Sequence, residues 1–224
     1  MMKWQKKPVL ALVWWLVLPG IGLGQESDRA PTPWKLEKDK KGIQVYSRQV
    51  ADSKVKEVRV TCEIRGTLAQ VVAFVTGIEH YPEIMDRVAE AYIIQRLNDR
   101  ELYYYHALDI PWPASDREVV MHMKAEWDDN ARQLVISANN VPGRVADQPG
   151  RVRVPLWRSK WVVQEVGLNR LRIAYTFQVD PGGGIPVWLT NALIANAPYQ
   201  SFAKMEQQLE LPYYQNRSFS FLKP

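Results

Sequence analysis

The stretch that decides the fold covers residues 171–197 and reads LRIAYTFQV, then DPGGG, then IPVWLTNALIANA. Its first part alternates apolar and polar residues, as in a half-buried β-strand. The glycines at 182–184 predict a sharp change of direction, and Pro186 fits the first turn of a helix, where a missing N–H is no loss. Residues 185–197 are apolar on nearly every side, although a surface helix needs an apolar stripe of only about 100°. We therefore expect a helix that is buried against a large apolar interior.

The pattern changes after Pro198, which lies inside the predicted helix. Apolar residues now recur on a single stripe that holds Tyr199, Phe202, Met205 and Leu209, with polar residues facing away. The sequence predicts one long helix that closes the domain and covers its interior. Pro198 removes one backbone hydrogen bond and is a candidate hinge, with ordinary packing distortion as the alternative.

The amino terminus resembles a secretory leader. Residues 1–24 combine a basic start, a short apolar core and small residues before Gly24, and cleavage after Gly24 fits best. An uncleaved membrane anchor is the alternative, but the apolar run is shorter than the roughly 20 residues that span a bilayer. We expect a periplasmic or secreted protein. Loss of the leader removes three lysines and lowers the formal net charge from +5 to +2.

Charge and cysteine content exclude several classes of protein. Basic residues are scattered among acidic ones and form no stripe with interleaved aromatic residues. The sequence therefore does not predict a nucleic-acid partner. Cys62 is the one cysteine of the sequence, which rules out an intramolecular disulfide. It shares a strand face with Val58, Val60 and Ile64, and we interpret it as a core residue.

The remaining chain predicts an α+β domain over residues 34–211. An unstructured lead-in (25–33) precedes two strands around Gly42, a strand at 54–65, a helix capped by Thr67, and a short helical piece at 81–85. Three hairpins follow, at 88–97 with 101–110, at 117–127 with 132–139, and at 152–166 with 171–179. Consecutive hairpins imply an antiparallel sheet. The tail, 212–224, has no predicted role.

Strand parity and helix position nominate residues that line the interior. Met121 and Met123 share an inward face, and methionine adapts to varied apolar partners. Tyr104 and His106 bring polar tips into an apolar lining, where they either contact a ligand's head group or bond to protein neighbours. The candidate ligand-binding residues are Tyr104, His106, Met121, Met123, Trp127, Tyr175, Phe177, Trp188, Leu189, Ala192, Leu193, Asn196 and Tyr199.

The sequence lacks the usual signatures of catalysis. Ser115 lies in a turn beside Asp116, the three histidines fall on different elements, and the glycines at 182–184 lack the lysine of a phosphate-binding loop. We therefore expect no catalytic residues, no metal site and no cofactor.

Three motifs together resemble one known family. They are PWPASDREVV at 111–120, WRSKW at 157–161 and DPGGGIPVWLTN at 180–191. This pattern is similar to the START (steroidogenic acute regulatory protein-related lipid-transfer) domain, and the similarity covers nearly all of residues 34–211. The resemblance implies a helix-grip fold, in which a curved antiparallel sheet wraps a long C-terminal helix. It also implies a tunnel for one lipid, gated by that helix and a neighbouring loop, which corresponds here to 139–151.

One departure from the family bears on the ligand. Some sterol-binding members carry a buried acid and arginine at places that correspond to Tyr104 and Met123 here. The resemblance therefore does not imply that this chain is specific for a sterol or a phosphocholine group. A neutral lining fits a weakly polar ligand.

Three hypotheses follow. The first is a monomeric carrier that binds a lipid (sterol, phospholipid or other apolar ligand) and exchanges it during transient contact with membranes, with Trp188 inserting. The second is a cyclase or hydrolase of the same superfamily, with Tyr104 and His106 as acid and base. The third is a scaffold with a filled core.

Overall fold

The computed structural model describes residues 31–51, 53, 55–185 and 187–223, and it describes side chains within these ranges except at 187–195. The predicted leader at 1–24 and residues 25–30 of the predicted lead-in lie outside the described residues. Of the remainder of that lead-in, Thr32 pairs through its backbone N–H with the carbonyl oxygen of Gln49 at 3.0 Å.

Within these ranges the chain forms ten strands, three α-helices and two 3₁₀ turns. The strands are β1 (Lys35–Lys40), β2 (Ile43–Gln49), β3 (Lys56–Arg65), β4 (Val88–Asn98), β5 (Glu101–Leu108), β6 (Asp116–Asp128), β7 (Gln133–Asn140), β8 (Arg151–Arg153), β9 (Leu156–Gly167) and β10 (Arg170–Asp180). The helices are α1 (Leu68–Thr76), α2 (Tyr81–Ile84) and α3 (Val187–Leu209), and the 3₁₀ turns are Ile78–His80 and Pro212–Tyr214.

All ten strands belong to one sheet in the order β1-β2-β3-β10-β9-β7-β6-β5-β4, with β8 pairing beside β6. Every pair along this order is antiparallel, and β8 alone pairs in parallel, with β6. The pairings β4 with β5, β6 with β7 and β9 with β10 confirm the three predicted hairpins. The predicted strand at 152–166 is instead two, because the chain leaves the sheet at Val154 and Pro155.

The helices pack on the concave face of the sheet. α1 starts at a capping box, in which the Thr67 hydroxyl accepts from the Gln70 N–H and the Gln70 side chain accepts from the Thr67 N–H. α3 packs against β2, β3 and α1. The result is the predicted helix-grip fold, an α+β architecture in which a curved antiparallel sheet holds a long C-terminal helix.

The inward faces that strand parity predicted for β3 and β6 are buried. Val119, Met121, Met123 and Ala125 of β6 are all buried on the concave face, and Cys62 is buried with Val58, Val60 and Ile64 on β3. Burial raises the pKa of the Cys62 thiol to about 12, which fits an inert core residue.

The tail, for which the sequence predicted no role, is part of the packed structure. Tyr214 is buried against Phe74 of α1, with ring centroids 5.5 Å apart, and Tyr213 stacks on His80 at 4.1 Å. Lys223 pairs with Asp129 of the β6–β7 turn at 3.0 Å. The tail therefore packs against the end of α1 and the 3₁₀ turn that follows it.

Candidate functional site

A cavity of about 530 Å³ lies between the sheet, α1, α2 and α3. Its walls are mainly apolar and aromatic, and its largest lining side chains come from the strands β5, β6, β9 and β10 and from the helices. These side chains include Phe74, Tyr81, Tyr104, His106, Met123, Trp157, Trp161, Tyr175, Phe177, Phe202 and Met205. A space of this size inside a domain of this length is unusual in a well-packed core and is typical of a binding site.

Aromatic rings form most of the cavity wall near α3. Trp161 of β9, Tyr175 of β10 and Phe202 of α3 form a cluster, in which Trp161 lies 4.5 Å from Tyr175 and 5.3 Å from Phe202 between ring centroids. Phe177 continues this row beside Tyr175 at 5.2 Å. Such rings offer large, rigid apolar contact areas, so this wall fits an acyl chain or a ring system.

Two polar side chains lie in the middle of the cavity wall. Tyr104 and His106 are neighbours on the concave face of β5, and their rings stack at 5.6 Å. Trp157 contacts His106 edge-on at 5.1 Å. Burial raises the pKa of the Tyr104 hydroxyl and lowers the pKa of His106 to about 4, so both groups are neutral at physiological pH.

Charged side chains are found at the rim of the cavity. Lys56, Asp86 and Arg87 line it and are exposed to solvent, as is Gln49. The turn that follows β5 joins this rim, because the Asp109 N–H donates to the Arg87 carbonyl oxygen at 2.9 Å. These exposed residues mark the opening of the cavity.

Trp112 lies on the same turn and is 88 % exposed. An indole that exposed is rare on a water-facing surface, and here it is two residues from Ile110, which lines the cavity. The opening therefore carries charged side chains of both signs and a protruding aromatic ring.

Arg117 forms hydrogen bonds with the turn that leads into α3. It is only 2 % exposed and lines the cavity near the opening. Its guanidinium donates to the carbonyl oxygens of Pro181 at 3.1 Å and Gly182 at 2.7 Å, and also to that of Ser115. The start of β6 is thereby joined to the loop before the helix.

The structure places the predicted ligand-binding residues in three groups. Tyr104, His106, Met123, Tyr175 and Phe177 line the cavity. Trp188, Leu189, Ala192 and Leu193 belong to the part of α3 whose side chains lie outside the description. Met121, Trp127, Asn196 and Tyr199 lie elsewhere.

Each member of this last group has a physical reason for its position. Met121 is fully buried in solid core, and Trp127 lies near the end of β6, past the empty space. Tyr199 lines a second hollow between α3 and β3. Asn196 is exposed and accepts a hydrogen bond from Lys38 at 3.0 Å.

Several lining residues were not among the predicted ones. Trp157 and Trp161 have the spacing of one strand face, and Phe202 and Met205 lie on the predicted helical stripe, so sequence signals for them exist. Phe74, Tyr81 and Arg117 have no such signal, because only the packing of α1, α2 and the 181–184 turn brings them to the cavity.

The loop expected to act as a gate, 139–151, does not reach the cavity. Val141 and Val145 pack on Tyr105, Ala107 and Val120, on the convex face of the sheet. None of the loop's described residues lines the cavity. The turn around Trp112 occupies the position at the opening instead.

A polar network beneath this loop surrounds Glu118, which is buried on the face of β6 opposite Met121 and Met123. Its carboxylate accepts from the Tyr105 hydroxyl at 2.7 Å, from the Gln148 N–H at 3.0 Å and from the Arg153 guanidinium at 2.9 Å. Burial alone raises the pKa of Glu118, but these hydrogen bonds lower it overall below its usual value. The network holds the loop against the sheet.

Within the described residues, no group of three or more His, Cys, Asp or Glu side chains is placed to hold a metal ion. The helices in the same part of the chain are also too short or too polar to cross a bilayer.

A ten-stranded sheet that grips a C-terminal helix around an apolar cavity defines the class of helix-grip binding domains. Comparison with known families gives the narrower assignment. The family model described as "START domain" matches residues 26–210, so the chain belongs to the START domain family.

Individual relatives agree with this assignment. An uncharacterized protein of Pseudomonas aeruginosa is 26% identical over 194 residues, which are 87% of this chain and 95% of that protein. The phosphatidylcholine transfer protein of Mus musculus is 24% identical over 70% of this chain and 75% of its own length. Among solved structures, a STAR-related lipid transfer protein fragment from Xanthomonas axonopodis matches with a TM-score of 0.72 and 27% identity, over 80% of this chain and 99% of that one.

Proposed function

We propose that this protein binds one hydrophobic lipid in the cavity beneath α3 and carries or exchanges it at membrane surfaces. The observation that carries the proposal is the cavity of about 530 Å³ with its apolar and aromatic wall. Small-molecule sites commonly measure roughly 300 to 1,000 Å³. The lipid-transfer names of two of the relatives above support the same activity for this chain.

The affinity for a lipid comes mainly from apolar burial. Every 100 Å² of ligand surface removed from water contributes about 2.5 kcal/mol, before the costs of association are subtracted. The row of Trp161, Tyr175 and Phe177 supplies much of this contact, because its rings lose little conformational freedom when a ligand binds. A hydrophobic ligand therefore binds without a charged partner in the wall.

Exchange requires that the opening meets a membrane. Trp112 protrudes beside the opening, and indole rings partition to the interface between headgroups and acyl chains. Lys56 at the rim adds attraction to anionic headgroups, while Arg87 is paired with Asp86 at 3.7 Å. In this proposal the protein docks as a monomer with the opening toward the bilayer, and α3 or the Trp112 turn moves to admit the lipid.

The compartment belongs to the same proposal. A leader at residues 1–24 directs the chain to the periplasm or outside the cell, and the carrier then works on the membranes that it meets there. N-terminal sequencing of the protein purified from its native host tests this point, since the proposal requires a mature chain that starts at Gln25.

Two alanines on the concave face provide a direct test of the cavity. Ala138 of β7 lines the empty space, whereas Ala125 of β6 is fully buried in solid core. We expect Ala138→Phe to fill the cavity, keep or raise the melting temperature, and abolish lipid binding. Ala125→Phe is expected to overpack the core and to lower the free energy of unfolding by about 1 to 3 kcal/mol.

The binding measurement is native mass spectrometry of the purified protein, followed by transfer of a fluorescent lipid between vesicles. Retention of a lipid by the wild type and its loss in Ala138→Phe support the proposal. The proposal is overturned if the wild type neither retains a lipid nor transfers one, or if Ala138→Phe transfers lipid at the wild-type rate.

A further inference from the structure

His106 is the most unusual polar side chain of the cavity. It is 4 % exposed and lines the cavity, and its Nδ1 atom has no hydrogen-bond partner among the described residues. A buried polar atom without a partner destabilises a fold, so such an atom in a binding cavity commonly marks a place where a ligand or water completes the bonding. Tyr104 presents a second polar group on the same strand face.

These two groups lie at a distance from the charged rim. Along β5, Leu108 follows His106 on the same face toward the opening, and each such step spans roughly 7 Å. The wall facing the pair consists of aromatic and apolar side chains, among them Trp157, Tyr81 and Met123. The middle of the cavity therefore offers hydrogen bonds and no charge.

Arg117 is the buried cation in the described wall, and its guanidinium is already engaged. Its nitrogens donate to the carbonyl oxygens of Ser115, Pro181 and Gly182 in the turn before α3. A ligand carboxylate or phosphate placed near His106 has no free counter-charge in the described wall. Burial of an unpaired charge is far more costly than burial of a neutral, hydrogen-bonded group.

We propose that the ligand is an uncharged lipid with a hydroxyl or similar neutral hydrogen-bonding group, which the His106 imidazole and the Tyr104 hydroxyl bind inside the cavity. This inference rests on the proposed function and narrows its substrate class. A neutral imidazole provides one donor and one acceptor, so it can either donate to the oxygen of an alcohol or accept from its O–H group. The apolar remainder of the ligand extends toward Phe74, Trp161 and Met205.

Three probes of equal chain length separate the contributions of the apolar chain, a neutral hydroxyl group and a charged carboxylate to binding. Hexadecane, hexadecan-1-ol and hexadecanoate are titrated at pH 8 against a fluorescent apolar probe bound to the full mature protein. We expect hexadecan-1-ol to bind about five- to tenfold more tightly than hexadecane, which is the effect of one buried hydrogen bond. Hexadecanoate, which is charged at this pH, is expected to bind more weakly than the alcohol.

The variants are chosen to keep the aromatic packing. His106→Phe and Tyr104→Phe remove the polar groups and retain a ring, so each is expected to reduce the preference for alcohol over alkane, and His106→Phe to abolish most of it. The matched control is His122→Phe. His122 is the counterpart on the convex face, where it stacks on Tyr103 at 4.4 Å and bonds Glu101 at 2.8 Å.

The outcomes distinguish this inference from the proposed function. If all three probes fail to bind the wild type, the proposed function is wrong. If alkane and alcohol bind equally well, or His106→Phe keeps the full preference, the lipid-carrier function stands and the role of His106 is refuted. The inference is also refuted if hexadecanoate binds more tightly than hexadecan-1-ol and Arg87→Gln removes this difference. The polar end of the ligand then lies at the rim.

Discussion

The Arg117 guanidinium donates a 2.7 Å hydrogen bond to the carbonyl oxygen of Gly182. This contact joins the first residues of β6 to the turn that precedes α3, two segments that are 65 residues apart in the chain. Arginine suits this place because its planar fork reaches several acceptors at once, which the single ammonium group of a lysine does not. The position of the helix over the cavity therefore depends on a residue at the start of a distant strand.

The first prediction concerns this contact. We expect Arg117→Met to lower the free energy of unfolding by about 2 kcal/mol, because the partly buried carbonyl oxygens of Pro181 and Gly182 lose their donors. Bound lipid should also dissociate faster from the variant. Urea denaturation and stopped-flow lipid release measure the two effects. Arg172→Met is the control, since it removes an exposed ion pair with Glu63 and should change the stability little.

The second prediction concerns the glycines of the same turn. Gly182 has a φ of +62°, and a Cβ atom there would lie 2.9 Å from the Cδ atom of Pro155. We expect Gly182→Ala to destabilise the protein by about 1 to 2 kcal/mol, from the left-handed conformation and the close contact. Gly184 has open space around its Cα, so Gly184→Ala should be nearly neutral. Equal melting temperatures for the two variants would contradict this account.

The third prediction tests the proposed contact between the opening and a membrane. We expect Trp112→Ala to slow lipid transfer between vesicles while leaving the melting temperature unchanged, because the exposed indole contacts little of the protein. Leu168→Ala is the matched control. Leu168 is 97 % exposed and lies just before the start of β10. It is therefore distant from the opening, which lies at the other end of this strand. Equal transfer rates for the two variants would show that Trp112 does not contact the membrane.

The sequence predicted the fold well because its signals are local. Thr67 and Gln70 form the capping box that starts α1, and the alternation in residues 171–179 identifies β10 and its inward face. Hairpin turns then set the order of most neighbouring strands. These features depend on residues close together in the chain, and local chemistry is what a sequence displays directly.

The site was predicted less completely than the fold. Strand parity predicts which face of the sheet a side chain lies on, but not whether it borders the cavity or the solid core. Met121 and Met123 share the concave face of β6, but only Met123 borders the empty space, since α1 and α2 decide where the space lies. Glu118 shows the same limit on the convex face, where the loop containing Gln148 buries a carboxylate that a strand pattern places in solvent. Both outcomes depend on contacts between distant segments.

The fourth prediction is a pH dependence of stability caused by His106. Burial lowers its pKa to about 4 in the folded protein, from an ordinary value of 6.5. The unfolded chain therefore binds the proton more readily, and stability that is fully present above pH 6.5 is lost as the pH falls toward 4. Between pH 7.5 and pH 5 this group should account for a loss of about 2 kcal/mol. Urea denaturation at both pH values should show a smaller loss in His106→Phe, and an equal loss would assign the effect to other groups.

The last prediction concerns the tail, which lies beyond the residues that the family model matches. Tyr214 is 1 % exposed and packs on Phe74, whose opposite side lines the cavity. We expect Tyr214→Ala to lower the free energy of unfolding by about 3 to 5 kcal/mol and to give Phe74 room to move outward. The cavity would then lengthen and accept longer acyl chains, which native mass spectrometry of the retained lipids detects.

Tyr214→Phe separates the ring from its hydroxyl group. The hydroxyl has no hydrogen-bond partner among the described residues, so this variant should keep both the stability and the ligand length of the wild type. The Gln215 side chain, next in the chain, donates to the carbonyl oxygen of Leu209 at 2.7 Å and holds the tail to the end of α3. If Tyr214→Ala unfolds like the wild type and retains the same lipids, the tail is a surface addition and the far wall of the cavity stands without it.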